Sequence, residues 1–372
     1  MITSPWRVLC CLVVGVGCFT GLLRADDKPK PQYQHGDILL PAASADERKS
    51  DQISVQRASD YLDQGALAWN RGRNCVTCHT NGTYMMIRPA LTARLGKPAE
   101  QMRRFFVNQL QTKQSTERET LQAGVRPAQV IYIAAGLAEW DAHVTKALSA
   151  ETKQALTLMF ELQLASGTWG SEDCWPPYES SAYHLATVAA MAVATAPNML
   201  ENLEDEKLRA GVARLKNYLR TQPPPHDYGR VLLLWAATRM PDLLDIERKQ
   251  KLVDLIFQHQ RTDGGWSIRT FAVPEAWGRG NRAKKLRGEP DFEDPASDGH
   301  QTGLAIMVLR KAGVEAKDPH IRRGIQWLLA NQRKSGRWWT RSLNTDTYHF
   351  ITYSGTAFPL LALSLCDALP SR

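Results

Sequence analysis

The chain has 372 residues, of which 43% are hydrophobic, together with 7 cysteines and a formal charge of +8. So long a chain is large for a single hydrophobic core unless the architecture is a closed repeat. Basic residues are dispersed apart from the run Arg279–Arg287 (RGNRAKKLR), and no nucleic-acid motif accompanies them, so the charge excludes a nucleic-acid footprint.

In chain order, residues 1–25 read as a signal peptide. Arg7 supplies the positive region, Val8 to Leu23 is an apolar stretch short for a membrane span, and Leu23-Arg24-Ala25 precedes Asp26-Asp27 as a cleavage site. No other stretch is long and apolar enough to cross a bilayer, so no integral membrane segment is expected after cleavage. The expected location is exported, either periplasmic or extracellular. Residues 26–50 are polar and proline-bearing and read as a disordered leader, followed by one domain over 51–372.

Cys75-Val-Thr-Cys78-His79 lies in a polar loop at 71–83. Two thiols three residues apart, with a histidine directly after the second, form the attachment signature of c-type haem. Each thiol adds across one vinyl group of the porphyrin, and the adjacent imidazole serves as axial ligand to the haem iron. In bacteria this attachment happens outside the cytoplasm, which agrees with the export signal. Candidates for the sixth ligand are Met85, Met86, His184, His226, His300 and His349, and a vacant or water-bound position is a further alternative. Two other readings of the motif stay open. One is a Cys75–Cys78 disulfide, and the other is half of a metal site with His79. Cys174 and Cys366 are expected to be buried thiols, and Asn81-Gly-Thr83 is expected to be a turn.

The remainder is patterned for helices. Apolar segments at Met85–Leu95, Pro127–Trp140, Glu179–Ala194, Tyr228–Thr238, Thr302–Ala312 and Ser354–Leu365 alternate with more charged ones. The charged set covers 52–70, 99–112, 149–163, 205–221, 245–260 and 318–332. This alternation predicts six inner segments wrapped by an outer ring, with a long insert at 267–298 near one mouth. Three turns share Q-x-x-[SD]-G-x-W: Gln163…Gly167…Trp169, Gln260…Gly264…Trp266 and Gln332…Gly336…Trp338. The glutamine closes its helix, the glycine takes the left-handed turn, and the tryptophan folds back as an apolar lid.

These repeats on alternating helices resemble the squalene-cyclase and protein-prenyltransferase superfamily, with Arg323-Gly324…Trp327-Leu328…Gln332…Gly336-Arg-Trp338 a close match to its repeat. The resemblance covers about residues 52–370. It implies an all-α fold, an α/α toroid of about six helical hairpins with a central cavity. It also directs attention to an acid cluster for terpenoid cyclisation: Asp291, Glu293 and Asp294, followed by His300 at the start of an inner helix. Here glutamate stands where the family's acid run has its central aspartate. Asp298 is expected to cap that helix, with Asp291–Asp294 answering the basic Arg279–Arg287 run. Asp173-Cys174 with His184 is the corresponding prenyltransferase-like zinc candidate, although the family separates its aspartate and cysteine by one residue.

Three functions follow as expectations. The first is an exported toroid with covalent haem c at Cys75, Cys78 and His79, serving electron transfer with an unidentified redox partner. The second is a terpenoid cyclase- or prenyltransferase-like enzyme. The third is a non-catalytic toroid that binds a small apolar ligand in its cavity and carries a Cys75–Cys78 disulfide.

Overall fold

The computed structural model describes residues 30–173, 175–178 and 181–370. The signal segment 1–25, the start of the leader and Cys174 lie outside these residues. Twelve principal helices alternate as outer and inner members of six hairpins. They are α1 (Val55–Arg73), α2 (Thr83–Ile87), α3 (Glu100–Gln114), α4 (Arg126–Trp140), α5 (Ala150–Glu161), α6 (Ala182–Thr195), α7 (Glu206–Thr221), α8 (Asp227–Ala237), α9 (Ile246–Gln258), α10 (Gly299–Lys311), α11 (Pro319–Asn331) and α12 (Ile351–Leu365).

The even-numbered helices are buried over nearly every residue, whereas the odd-numbered ones bury one stripe. Each inner helix packs on the next, and α12 returns to α2, so the inner ring closes on itself. All outer helices except α3 start at side-chain caps. Ser149, Asp205, Asp245 and Asp318 each accept a hydrogen bond from a backbone N–H of the first turn.

The three repeated turns fasten the outer ring. The Gln163 amide donates to the carbonyls of Gly167 and Gly211, both at 3.0 Å. That of Gln260 donates to Gly264 and His320, both at 2.8 Å. That of Gln332 donates to Gly336 at 2.8 Å and to Ser54 at 3.1 Å. Each glutamine therefore ties one outer helix to the next, and Gln332 joins the last outer helix to the first. The tryptophan indoles donate back into their own helices, to the carbonyls of Met159, Ile256 and Leu328. Glycine is required at these turns twice over. Gly167, Gly264 and Gly336 have φ of +93°, +88° and +89°, and a Cβ at Gly336 would lie 2.6 Å from the Arg57–Ala58 backbone.

Two expectations need correction. Residues 30–50, read as a disordered leader, form an antiparallel hairpin (Tyr33–His35 with Ile38–Leu40) and a strap against α1. Tyr33 is buried there, and Arg337 from the last repeated turn donates to the carbonyl of Pro41 at 2.8 Å. The first inner segment, expected as one helix over 85–95, is broken into a π-helical turn at Cys78–Gly82, α2, a 3₁₀ turn at Pro89–Leu91 and a short helix at Thr92–Leu95. Pro89 has no N–H to continue the helix.

The open space of the toroid is displaced from its axis. The axial void, lined by Tyr132, His184, Tyr228, Trp235 and Phe358 among others, is about 20 Å³, room for about one water. A cavity of about 480 Å³ lies instead at one mouth, where the N-terminal ends of α2, α4 and α12 meet the segment before α6. The insert at 267–298 packs beside that mouth. Trp277 rests on His226 and Tyr228, and Arg279 pairs with Asp173 at 3.0 Å.

Candidate functional site at the toroid mouth

Cys75, Cys78 and His79 all line the mouth cavity. Its other walls are largely apolar. They come from Trp69 at the end of α1, Trp175–Tyr178 before α6, and Tyr348, Phe350 and Ile351 at the start of α12. A site of this volume and lining suits a large planar apolar group with few polar contacts.

The motif loop is held by its neighbours rather than by regular structure. Asn81, fully buried, accepts from the Thr77 N–H at 2.8 Å and donates to the Cys75 carbonyl at 2.9 Å and to Asn70 Oδ1 at 2.7 Å. Trp69 Nε1 donates to the same Cys75 carbonyl at 3.2 Å, and Thr83 Oγ1 donates to the Cys78 carbonyl at 2.7 Å. Gly82 lets the π-turn form against α4, since a Cβ there would meet the Thr77 carbonyl at 2.6 Å and the Tyr132 ring at 2.8 Å. Asn81-Gly-Thr83 is thus a buried structural turn.

His79 is fixed on two sides. Its ring stacks on Phe350 with centroids 4.7 Å apart and meets Trp69 edge-on at 4.8 Å. Nδ1 is 2.8 Å from Thr80 Oγ1, which in turn is 2.9 Å from the Tyr33 hydroxyl. Burial pushes the His79 pKa down to about 3, so the imidazole is neutral at neutral pH. Thr80 Oγ1 can accept from Nδ1–H, and in that tautomer Nε2 keeps its lone pair, the form that a metal-ligating histidine uses. Cys75 and Cys78 stand as thiols and are not joined as a disulfide. Two thiols, one neutral oriented imidazole and an apolar cavity match what a covalently attached haem requires. Among the described residues, no group of three or more His, Cys, Asp or Glu side chains is placed to hold a metal ion.

The acid cluster is dispersed. Asp291 pairs with Arg341 at 3.2 Å, Glu293 is exposed, and Asp294 is exposed and pairs with Arg261. The basic run is answered by other groups: Arg279 by Asp173, Lys285 by Glu289 and Arg287 by Glu275. His300 is fully buried on the axis, away from these carboxylates. Its Nε2 is 3.1 Å from the Tyr228 hydroxyl and its Nδ1 is 2.7 Å from Ser354 Oγ. Asp298 caps α10, accepting from the N–H groups of Gln301 at 2.8 Å and Ile268 at 2.7 Å. Burial raises its pKa to about 6 against those lowering bonds. For the zinc candidate, Asp173 is engaged by Arg279 and His184 by Tyr132, and Cys174 lies outside the described residues.

The walls contributed by Trp175–Tyr178, Tyr348, Phe350 and Ile351 were invisible to sequence reasoning. They lie about 100 to 275 positions from the motif, and no local pattern links them. Asn81, two residues after His79, was the nearest available signal.

Residues 225–367 match the family model of the squalene-hopene cyclase C-terminal domain. The match spans α8 to α12 and begins well beyond the Cys75–His79 loop. No curated protein matches the chain. Together with the closed ring of six hairpins, the match supports the squalene-cyclase and protein-prenyltransferase toroid superfamily for this chain.

Proposed function

We propose that this chain is an exported, cyclase-like toroid that carries a covalent c-type haem on Cys75 and Cys78, with His79 as axial ligand, in a redox or electron-transfer role. One observation carries the reading: the whole Cys75–His79 motif forms a wall of an apolar cavity of about 480 Å³. Attachment is an addition. Each S–H adds across a vinyl C=C, sulfur bonding one carbon and hydrogen the other, with no by-product. When bound, haem supplies one-electron Fe(III)/Fe(II) exchange. The chain's own residues do the rest. Thr80 orients His79, Phe350 and Trp69 hold its plane, and Trp175, Pro176 and Pro177 line the cavity with apolar surface. Pairing of Asp291 and Asp294 with different arginines, with Glu293 exposed, disfavours cyclase chemistry at that cluster.

The test is expression of the full chain with haem-maturation machinery, followed by haem staining after denaturation. Stain that persists in wild type and is lost in the Cys75→Ser, Cys78→Ser double variant supports the reading. A well-folded wild type without stain overturns it.

A further inference from the structure

The mouth cavity presents one imidazole and no thioether among the described residues that line it, the imidazole being His79. None of the other candidate axial ligands lines this cavity. Met85 is fully buried against Gly136 of α4, where a Cβ on that glycine would come within 2.6 Å of the Met85 Cβ. Met86 and His184 line the axial void, with His184 Nε2 3.1 Å from the Tyr132 hydroxyl. His226 Nδ1 accepts from the Gly229 N–H at 3.0 Å while its ring packs on Trp277. His300 has both nitrogens engaged by hydroxyls. His349, the nearest in sequence to the cavity wall, uses Nδ1 to accept from the Ser342 N–H at 3.0 Å and packs on Trp339.

The walls of the cavity are largely apolar. The Tyr178 hydroxyl bonds Ser354, and Gln129 Oε1 accepts from Lys113 Nζ at 2.6 Å. An anion entering so apolar a space gives up hydration that the walls replace poorly, whereas a neutral diatomic molecule has little hydration to lose.

We propose that haem held at Cys75, Cys78 and His79 leaves its second axial position open to a neutral diatomic ligand, making the mouth a gas-binding site rather than a closed electron-carrier site. This inference rests on the haem reading above. It is tested on the full-length protein matured with haem, by reducing it and titrating with carbon monoxide. Wild type and the variants His349→Gln and Met86→Leu are compared, and covalent haem is assayed in parallel. The expected result is a five-coordinate, high-spin ferrous spectrum that carbon monoxide converts stoichiometrically, equally in all three proteins, with cyanide binding to the ferric form weakly by comparison. A low-spin, six-coordinate spectrum that ignores carbon monoxide, with haem covalently present, overturns the inference and leaves the haem reading standing. Conversion of such a spectrum to high-spin in one variant would identify the displacing ligand. Absence of covalent haem overturns both.

Discussion

Replacing Gln332 by alanine perturbs the seam on which closure of the outer ring depends. The side chain is 1% exposed and makes three bonds: it donates to Gly336 and Ser54, and its Oε1 accepts from the Ser54 N–H at 2.6 Å. Truncation leaves two carbonyls and one N–H without these partners. A buried group so orphaned costs ~1–3 kcal/mol. Ser54 is only half-buried, so water satisfies part of the loss, and a net destabilisation of about 2–3 kcal/mol is expected. With an unfolding entropy of about 2.1 cal/mol/K per residue, a domain of about 320 residues then loses about 3–5 °C in Tm. The assay is calorimetry of Gln332→Ala beside Gln163→Ala, which removes the equivalent clamp between α5 and α7. Comparable losses are expected. If Gln332→Ala leaves Tm unchanged while Gln163→Ala lowers it, the seam between the last and first outer helices carries no load and the reasoning is refuted.

Further variants probe the caps, turns and surface carboxylates. Asp298 has a folded pKa raised to about 6, above its unfolded value, so the native state binds more protons in this range and stability falls as pH rises from about 4 to about 6. In Asp298→Asn this component of the slope should vanish, although the variant is less stable overall because Asn Nδ2 cannot accept from the Ile268 N–H. Parallel stability-against-pH curves for the two proteins would contradict the assignment. Gly336→Ala should cost more than ~2 kcal/mol, from left-handed strain plus a clash with the Arg57 backbone, whereas Gly313→Ala, at φ +97° with open space around it, should cost only about 1 kcal/mol. Equal losses in chemical denaturation would show that the close approach does not matter. Asp294→Ala removes an exposed ion pair and should change stability by less than about 0.5 kcal/mol without affecting haem attachment. A larger loss would mean that Asp294 has a role beyond the surface.

Much of the ring was legible because its signals are local. Small apolar inner helices, charged outer helices and three Gln…Gly…Trp turns each carry their own spacing, and the structure places their ends within a few residues of expectation. The hairpin at Tyr33–Leu40 was hidden because each of its strands is only three residues long. Its anchors are Tyr33 and the buried Arg337, 304 positions away in sequence. The break in the first inner helix had a visible cause in Pro89, but the π-turn that precedes it depends on Gly82 meeting Tyr132 of another helix. The motif residues Cys75, Cys78 and His79 were equally legible. What they face was not, because the cavity is assembled from four connections distributed around the ring.

Intact mass of the protein purified from its native host tests the central claim most directly. Allowing for N-terminal processing, we expect the mass of the chain plus one haem, with that increment absent in the Cys75→Ser, Cys78→Ser double variant. A mass equal to the bare chain, or two hydrogens lighter as a Cys75–Cys78 disulfide requires, would contradict it.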